Sequence, residues 1–411
     1  MSCTMGCLLS RLYDKSLRTR GSRKRALKYR LDDEEVETKT LSPSSTTVPN
    51  YSASSTTEAA PSKAVSKAKP EAPKKEYSWD KRRKLDPKDF MCMGVEGETV
   101  VKAPGKINGQ QFVVDGCTNS KIFVFDHCAS VTIDDCKDCT FFIGPTESSV
   151  FIRNCKNCAC VFLCRQLRTR DCENCTLELF CSTRPVIESS SDMRFSCFDS
   201  AHEYEQLAQQ MSSAHLSPFC NYWSSVYDFT PKSSSSNWSF LSSGDALGEA
   251  VVRAQRDIDL AAPGEDDRAM FHTHGERPLE GYGYHYLVLF PLRIKIQEAG
   301  AAVASLSFLR AVLASCGGDG KDAKVVQVNG CKLSQDEVDE LNGSNVLEGP
   351  DGSTNSIPGN AFKVIGLEIA SKESIKTMVM QAAGAELSKY KCVIVDQLEL
   401  MAAFRTKGIT G

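Results

Sequence analysis

Four cysteine-centred motifs recur at a nearly fixed step in the middle of this chain. They are Gly116-Cys117-Thr118-Asn119, Asp135-Cys136-Lys137-Asp138-Cys139, Asn154-Cys155-Lys156-Asn157-Cys158 and Asp171-Cys172-Glu173-Asn174-Cys175. Their first cysteines are 19, 19 and 17 residues apart. Between them lie short β-type runs: Ile122–Phe125, Ser130–Ile133, Thr140–Ile143, Val150–Ile152, Val161–Leu163 and Thr176–Phe180. A short fixed period built of strands is the signature of a solenoid. A step of about 19 residues suits a coil of about three short strands and their corners, hence a parallel β-helix. Each coil then stacks its Val, Ile and Phe on the next, and cysteine stacks at a corner that admits a small apolar side chain.

Twelve of the 19 cysteines fall between Cys117 and Cys197. The N-terminus lacks the layout of a secretion signal, so disulfides are not expected. Cys136/Cys139 and Cys155/Cys158 also fit C-x2-C-x15-C-x2-C, a zinc-ribbon spacing. Against zinc, a further pair, Cys172/Cys175, recurs with the structural period, and no glycine follows the second cysteine of any pair; Thr140, Ala159 and Thr176 stand there. A buried structural ladder is the preferred reading, with no metal site. No His or acidic dyad accompanies any one thiol, as a cysteine nucleophile would need.

The flanking sequence divides the chain. Residues 1–40 are basic at first, with nine Lys/Arg and a single acid, Asp14, between Arg11 and Arg30. Met5-Gly6-Cys7-Leu8-Leu9-Ser10 fits the N-myristoylation pattern if translation starts at Met5; Cys7 and Cys3 are palmitoylation candidates. An acyl chain plus a basic stretch supplies the two signals that stable membrane attachment requires. The alternative is a basic tail with no anchor. Residues 41–76, dominated by Ser, Thr, Pro and Ala, read as a disordered linker. The β-helix domain is assigned to 77–241, with Trp223 to Phe240 covering an end or edge, and 242–283 to a second linker. From 284 to 405 the pattern alternates strand and helix, which predicts a small α/β layer structure. Its strands are Tyr286–Pro291, Lys324–Val328, Phe362–Ile369 and Cys392–Leu398, and its helices Ala299–Ser315, Ser334–Asn342 and Ser371–Glu386. All six histidines lie at or before His285, which leaves that region without a phosphorylatable histidine over most of its length. The charge balance, Lys+Arg 49 against Asp+Glu 52, argues against nucleic acid as a partner. No apolar run reaches the ~18 residues of a membrane span.

One strand carries cations instead of apolar residues: Cys164-Arg165-Gln166-Leu167-Arg168-Thr169-Arg170-Asp171-Cys172. Arg168 and Arg170 alternate, so both point outward from the coil. This is either a solvated face or an anion contact; the planar, always-charged guanidinium suits phosphate.

These features together resemble the tubulin-folding cofactor C domain family, in its lipid-anchored branch. The residues that carry the likeness include Tyr77-Ser78-Trp79-Asp80, Asp86-Pro87-Lys88-Asp89, Gly109-Gln110-Gln111-Phe112, Phe125-Asp126-His127, Val131-Thr132-Ile133-Asp134-Asp135-Cys136, Ile187-Glu188-Ser189-Ser190-Ser191 and Asp228-Phe229-Thr230-Pro231. The resemblance implies a right-handed parallel β-helix followed by a ferredoxin-like domain similar to nucleoside diphosphate kinase. It implies a GTPase-activating protein for an Arf-like small GTPase in its GTP state, acting on lipidated cargo traffic at the cytoplasmic face of the plasma membrane and at cilia. By motif, Arg168 is the arginine finger and Glu188 an interface residue; Arg165, Gln166 and Arg170 lie on the same contact. GTP and Mg would be held by the partner and no cofactor by this chain. The family commonly has Gln-Gln-x-Arg before the finger, where this chain has Arg165-Gln166-Leu167-Arg168. Arg165 cannot accept a hydrogen bond, and strand alternation turns Gln166 away from it. Two alternatives stay open: cofactor activity towards tubulin-bound GTP, and a scaffold that binds the GTPase without accelerating it.

Overall fold

The computed structural model describes residues 86–241, 248–264, 268–292, 323–332, 363–372, 374 and 393–395. Within 86–241 the chain winds as a solenoid of parallel strands. One side is built from β2 (Thr99–Lys102), β4 (Lys121–Val124), the first part of β6 (Thr140–Arg153), the first part of β7 (Ala159–Arg170), β8 (Thr176–Cys181), β10 (Met193–Cys197) and β12 (Trp238–Phe240). The other is built from β1 (Met91–Met93), β3 (Phe112–Asp115), β5 (Val131–Asp134), the last parts of β6 and β7, β9 (Val186–Glu188) and β11 (Tyr227–Asp228). β6 and β7 bend at a corner and so serve both sides. The expected third strand of each coil is absent. At the cysteine corner, pairing shrinks to single bridges running Glu96, Thr118, Lys137, Lys156, Glu173, Ser191.

The corner chemistry explains the repeat. Two residues in each turn adopt positive φ: Asp135 and Asp138, Asn154 and Asn157, Asp171 and Asn174, with φ from 52 to 55°. Asn and Asp tolerate this left-handed region better than other side chains. Their exposed side chains also join coil to coil. Asn154 donates to Asp135 at 3.0 Å, Asn157 to Asp138 at 2.8 Å, and Asn174 to Asn157 at 2.9 Å. The cysteines between them face inward and are buried. Each thiol donates to the carbonyl two residues back: Cys136 to Asp134 at 3.1 Å, Cys139 to Lys137 at 3.2 Å, Cys155 to Arg153 at 3.3 Å. At the ladder ends serine takes the same place: Ser120 donates to Thr118 at 2.8 Å and Ser190 to Glu188 at 2.8 Å. The position therefore selects a short side chain with a donor, which cysteine and serine share. Burial pushes the Cys139 thiol up to about 11.

The two sides of the solenoid are treated differently. The outward aromatic and aliphatic residues of the first side, Phe123, Phe125, Phe142, Val161, Leu163 and Phe180, are buried under a second layer. That layer contains Tyr204, α1 (Leu207–Ser213), Leu216, and Val251 and Ala254 of α2 (Gly248–Asp257). The segment expected to link the domains thus contributes to the covering layer. Met270 and Thr273 are buried, Trp223 Nε1 donates to Thr273 Oγ1 at 2.9 Å, and the Arg277 guanidinium lies 4.9 Å from the Trp223 ring. Gly275 fits because it has no Cβ: its φ is +68°, and a Cβ would stand 2.5 Å from Ser224.

The C-terminal strands β13 (Tyr284–Leu292), β14 (Ala323–Lys332), β15 (Lys363–Ser371) and β16 (Val393–Val395) form one antiparallel sheet in the order β14-β15-β13-β16. All four expected strands are present. The helices expected at 299–315 and 334–342 lie outside the described residues. Of the third, expected over 371–386, Ser371 closes β15 instead, and nearly all the rest lies outside the described residues.

Candidate protein-interaction face

Among the described residues, no layer covers the second side of the solenoid. Its outward residues form columns that run from coil to coil. One column is Met91, Val113, Thr132, Phe151, Arg168, Val186, Tyr227, each in register with the next. The neighbouring column is Met93, Asp115, Asp134, Arg153, Arg170, Glu188. Met93, Phe151, Tyr227 and Phe229 are 53, 36, 46 and 62 % exposed. Tyr227 and Phe229 adjoin, their ring centres 6.3 Å apart, and Phe151 stands three coils away in the same column; exposed apolar residues along one face make it the candidate interaction surface.

Arg168 stands near the middle of this face. Its backbone is held on both sides, by Phe151 on one coil and Val186 on the other. Leu167 and Thr169 point inward and are buried, so Arg168 and Arg170 point out. Three other arginines of the face are engaged. Arg153 makes a two-pronged contact with Asp134 at 2.7 and 2.5 Å. Arg170 Nε lies 3.3 Å from Asp171, and Arg184 Nε donates to the Ser225 carbonyl at 3.0 Å. The side chains of Arg168 and Arg165 make no hydrogen bond or ion pair with any of the described residues. A guanidinium left unpaired on a rigid strand is free to meet an incoming anion.

The sequence-identified residues thus share one face. Glu188 is in register with Arg170, one coil on and two positions from Val186, the partner of Arg168. Gln166 departs from expectation. It is on the outer side together with Arg165, because β7 turns the corner there and strict alternation resumes only from Leu167. Its Oε1 accepts from Ser149 Oγ at 3.1 Å. Gly6, Cys7 and Cys3 lie outside the described residues. Among the described residues no group of three or more His, Cys, Asp or Glu is arranged to hold a metal ion.

Sequence reading missed Phe151, Tyr227 and Arg184. The signal for Phe151 was available: in Val150-Phe151-Ile152 the alternation puts a large apolar residue on the wet side. Arg184 lies outside any β-type run and becomes part of the face only through the register of β7 with β9.

Comparison with known proteins finds similarity within the solenoid region. Residues 109–229 match the Tubulin binding cofactor C family model. Over 171 residues the chain is 60% identical to Protein XRP2 of Danio rerio, covering 42% of this chain and 45% of that protein. Over 167 residues it is 58% identical to Protein XRP2 of Homo sapiens, covering 41% of this chain and 47% of that protein. The matched part thus spans less than half the length of these relatives. A solved structure of Tubulin Binding Cofactor C from Leishmania major is 26% identical, covering 31% of this chain and 86% of its own, with a TM-score of 0.28.

Proposed function

We propose, from a solenoid that carries a Tubulin binding cofactor C domain resembling that of the XRP2 proteins, that this chain accelerates GTP hydrolysis on a small Arf-like GTPase. The observation that carries the reading is Arg168: exposed, without a side-chain partner among the described residues, and fixed at its backbone on the face of a rigid scaffold. In phosphoryl transfer, negative charge spreads over the γ-phosphate oxygens as the bond to the leaving group loosens. A guanidinium inserted from outside stabilises that charge, and such a finger is worth ~10³–10⁵ in rate, or roughly 4–7 kcal/mol. A solenoid strand laddered on both sides holds the finger in place in advance, which is the requirement for orientation-based catalysis. The GTP and its Mg are the partner's. This chain contributes the arginine and the docking surface: Phe151 and Tyr227 in the same column, with Glu188 and Arg170 beside them.

The remaining assignments extend this proposal. Gly6, Cys7 and Cys3 would carry acyl chains and, with the basic segment to Arg30, hold the chain on the cytoplasmic face of the plasma membrane. Release of lipidated cargo in ciliary traffic would be the consequence of hydrolysis there. The C-terminal sheet is read as a ferredoxin-like domain, which its strand order with β13 and β15 central supports. It serves as a binding module, since no histidine follows His285.

The test is single-turnover GTP hydrolysis by a panel of Arf-like GTPases and by tubulin, with the full chain and Arg168→Ala. Acceleration of one Arf-like GTPase, lost by orders of magnitude in Arg168→Ala with binding retained, is expected. Glu188→Ala weakens binding. GTP-dependent binding without acceleration would replace the activator by a scaffold, the reading that Arg165 favours. Acceleration confined to tubulin would replace it by the cofactor activity that the family's name describes.

A further inference from the structure

Arg184 differs from Arg168 in how it is held. Arg168 is in register with Val186, so Gln166 and Arg184 each stand two positions back along the same two coils. Arg184 is half-buried. Its Nε donates to the Ser225 carbonyl at 3.0 Å, and its guanidinium lies 5.5 Å from the centre of the Tyr227 ring. Its remaining N–H groups make no hydrogen bond with any of the described residues. Arginine presents five donors in a fixed fork, so one anchored donor fixes the plane in which the others lie.

The anchor is itself anchored. Ser225 is buried, and its hydroxyl donates to the Glu276 carboxylate. Glu276 follows Gly275, whose N–H donates to the Val326 carbonyl at 2.8 Å, while the His274 N–H donates to Val325 at 2.7 Å. Val325 and Val326 belong to β14, the edge strand of the C-terminal sheet. A continuous set of contacts therefore runs from that sheet through 274–276 and Ser225 to Arg184 on the interaction face.

We propose that Arg184 is the positioning cation of this face. Its preset fork grips a carboxylate on the GTP-loaded GTPase and fixes the approach at which Arg168 meets the γ-phosphate, and the C-terminal sheet sustains that setting through Glu276 and Ser225. The inference rests on the activator reading above and adds to it a division of labour: Arg168 acts in the transition state, whereas Arg184 acts in binding. A planar fork held by one donor and a ring suits a carboxylate, which it meets with two parallel bonds.

The experiment is single-turnover hydrolysis by a GTP-loaded Arf-like GTPase as the concentration of the full chain is varied. It yields a half-saturating concentration and a maximal rate. Arg184→Gln is expected to raise the half-saturating concentration roughly tenfold at unchanged maximal rate, the cost of one charge-assisted hydrogen bond. It should also flatten the salt dependence of binding. Arg184→Lys restores part of the affinity, and Glu276→Ala raises the half-saturating concentration by a smaller factor, because the charge stays while its setting is lost. An unchanged half-saturating concentration in Arg184→Gln, with Arg168→Ala inactive as expected, would overturn the inference and leave the activator reading intact. Loss of maximal rate alone would overturn it too, by making Arg184 a second finger. If the wild-type chain binds without accelerating, the same variants are read by dissociation constant with the same expectations. Absence of any GTP-dependent binding by the wild-type chain would remove the activator reading, and this inference with it.

Discussion

Asn157 tests whether the corners, more than the cysteines alone, hold the solenoid together. Its φ is 55°, and its side chain donates to Asp138 at 2.8 Å and accepts from Asn174 at 2.9 Å. Asn157→Ala loses both contacts and places a Cβ in the left-handed region. The strain is worth ~1–2 kcal/mol, and two exposed hydrogen bonds add ~0.5–1 kcal/mol each. The expected loss is ~2–4 kcal/mol, a large part of a typical domain's stability. Asn157→Gly loses the same hydrogen bonds without the strain, offset by the extra chain entropy of glycine, ~0.5–1 kcal/mol. Glycine should therefore be less damaging than alanine by ~0.5–1 kcal/mol, the reverse of the order at ordinary strand and helix positions. Lys156→Ala, one residue away, is the control. It removes only the exposed ion pair to Glu173 at 2.8 Å, which solvent screens and which contributes little to stability. Urea unfolding followed by tryptophan fluorescence measures all three, since Trp223 is buried against the last coils; comparison is valid where the slope with denaturant is unchanged. If Asn157→Ala is as stable as Asn157→Gly or more so, the left-handed corner is not what selects Asn and Asp.

Two further outcomes are expected. Cys155→Tyr inserts a ring into a fully buried ladder position and should leave little soluble, folded protein, because overpacking costs ~1–3 kcal/mol or more; a soluble Cys155→Tyr chain of wild-type stability would refute a closely packed ladder. Stability should fall between pH 9 and 11, because burial raises the thiols of Cys92, Cys139 and Cys197 from 9.0 to about 11. Over that range the unfolded chain has lost these protons and the folded chain keeps them, so the stabilisation is complete below pH 9 and declines above it. Cys197, fully enclosed, accounts for ~2–3 kcal/mol of that decline; an unfolding midpoint that stays flat to pH 11 would show that the thiols are not sealed from water.

The solenoid was legible because its constraints are local and repeated. The Asp and Asn that flank each cysteine are there for their φ values, and the cysteines for a short inward side chain; both recur wherever the coil turns. Strands such as Lys121–Val124 and Val131–Asp134 fall within one residue of their expected bounds for the same reason. What was not legible depends on contacts distant in sequence. Residues 248–277 read as a linker because they are charged and poor in aromatics. They pack with few residues: Val251 and Ala254 on one helix face, Met270, and Thr273, whose hydroxyl accepts from Trp223. The third strand was over-read from period alone, since a corner with two left-handed residues needs only one bridging pair. Gln166 was misplaced because alternation was carried through a corner where the chain changes side. The outward placement of Arg168 was legible from its alternation with Arg170, whereas the position of Arg184 needed the register of the next coil.

The unequal treatment of the two sides is the strongest structural argument about where a partner would dock. Both sides put large apolar residues outward. On the first, Phe125, Phe142 and Phe180 are sealed under Tyr204 and α1, with Phe125 and Phe142 centred 4.8 Å apart and Tyr204 edge-on to both. On the second, Phe151, Tyr227 and Phe229 stay open to solvent although the same chain supplies a covering layer elsewhere. Keeping apolar surface wet forgoes roughly 25 cal/mol for every Å² that a cover would bury. Among the described residues one face is sealed and its twin is bare, so the bare face is where a partner would gain most by covering it. The bare face is also the one whose central strand replaces apolar residues by arginine. A partner that buried Phe151 and Tyr227 would therefore bring its own surface against Arg168, and would displace the water that otherwise screens the guanidinium from an incoming anion.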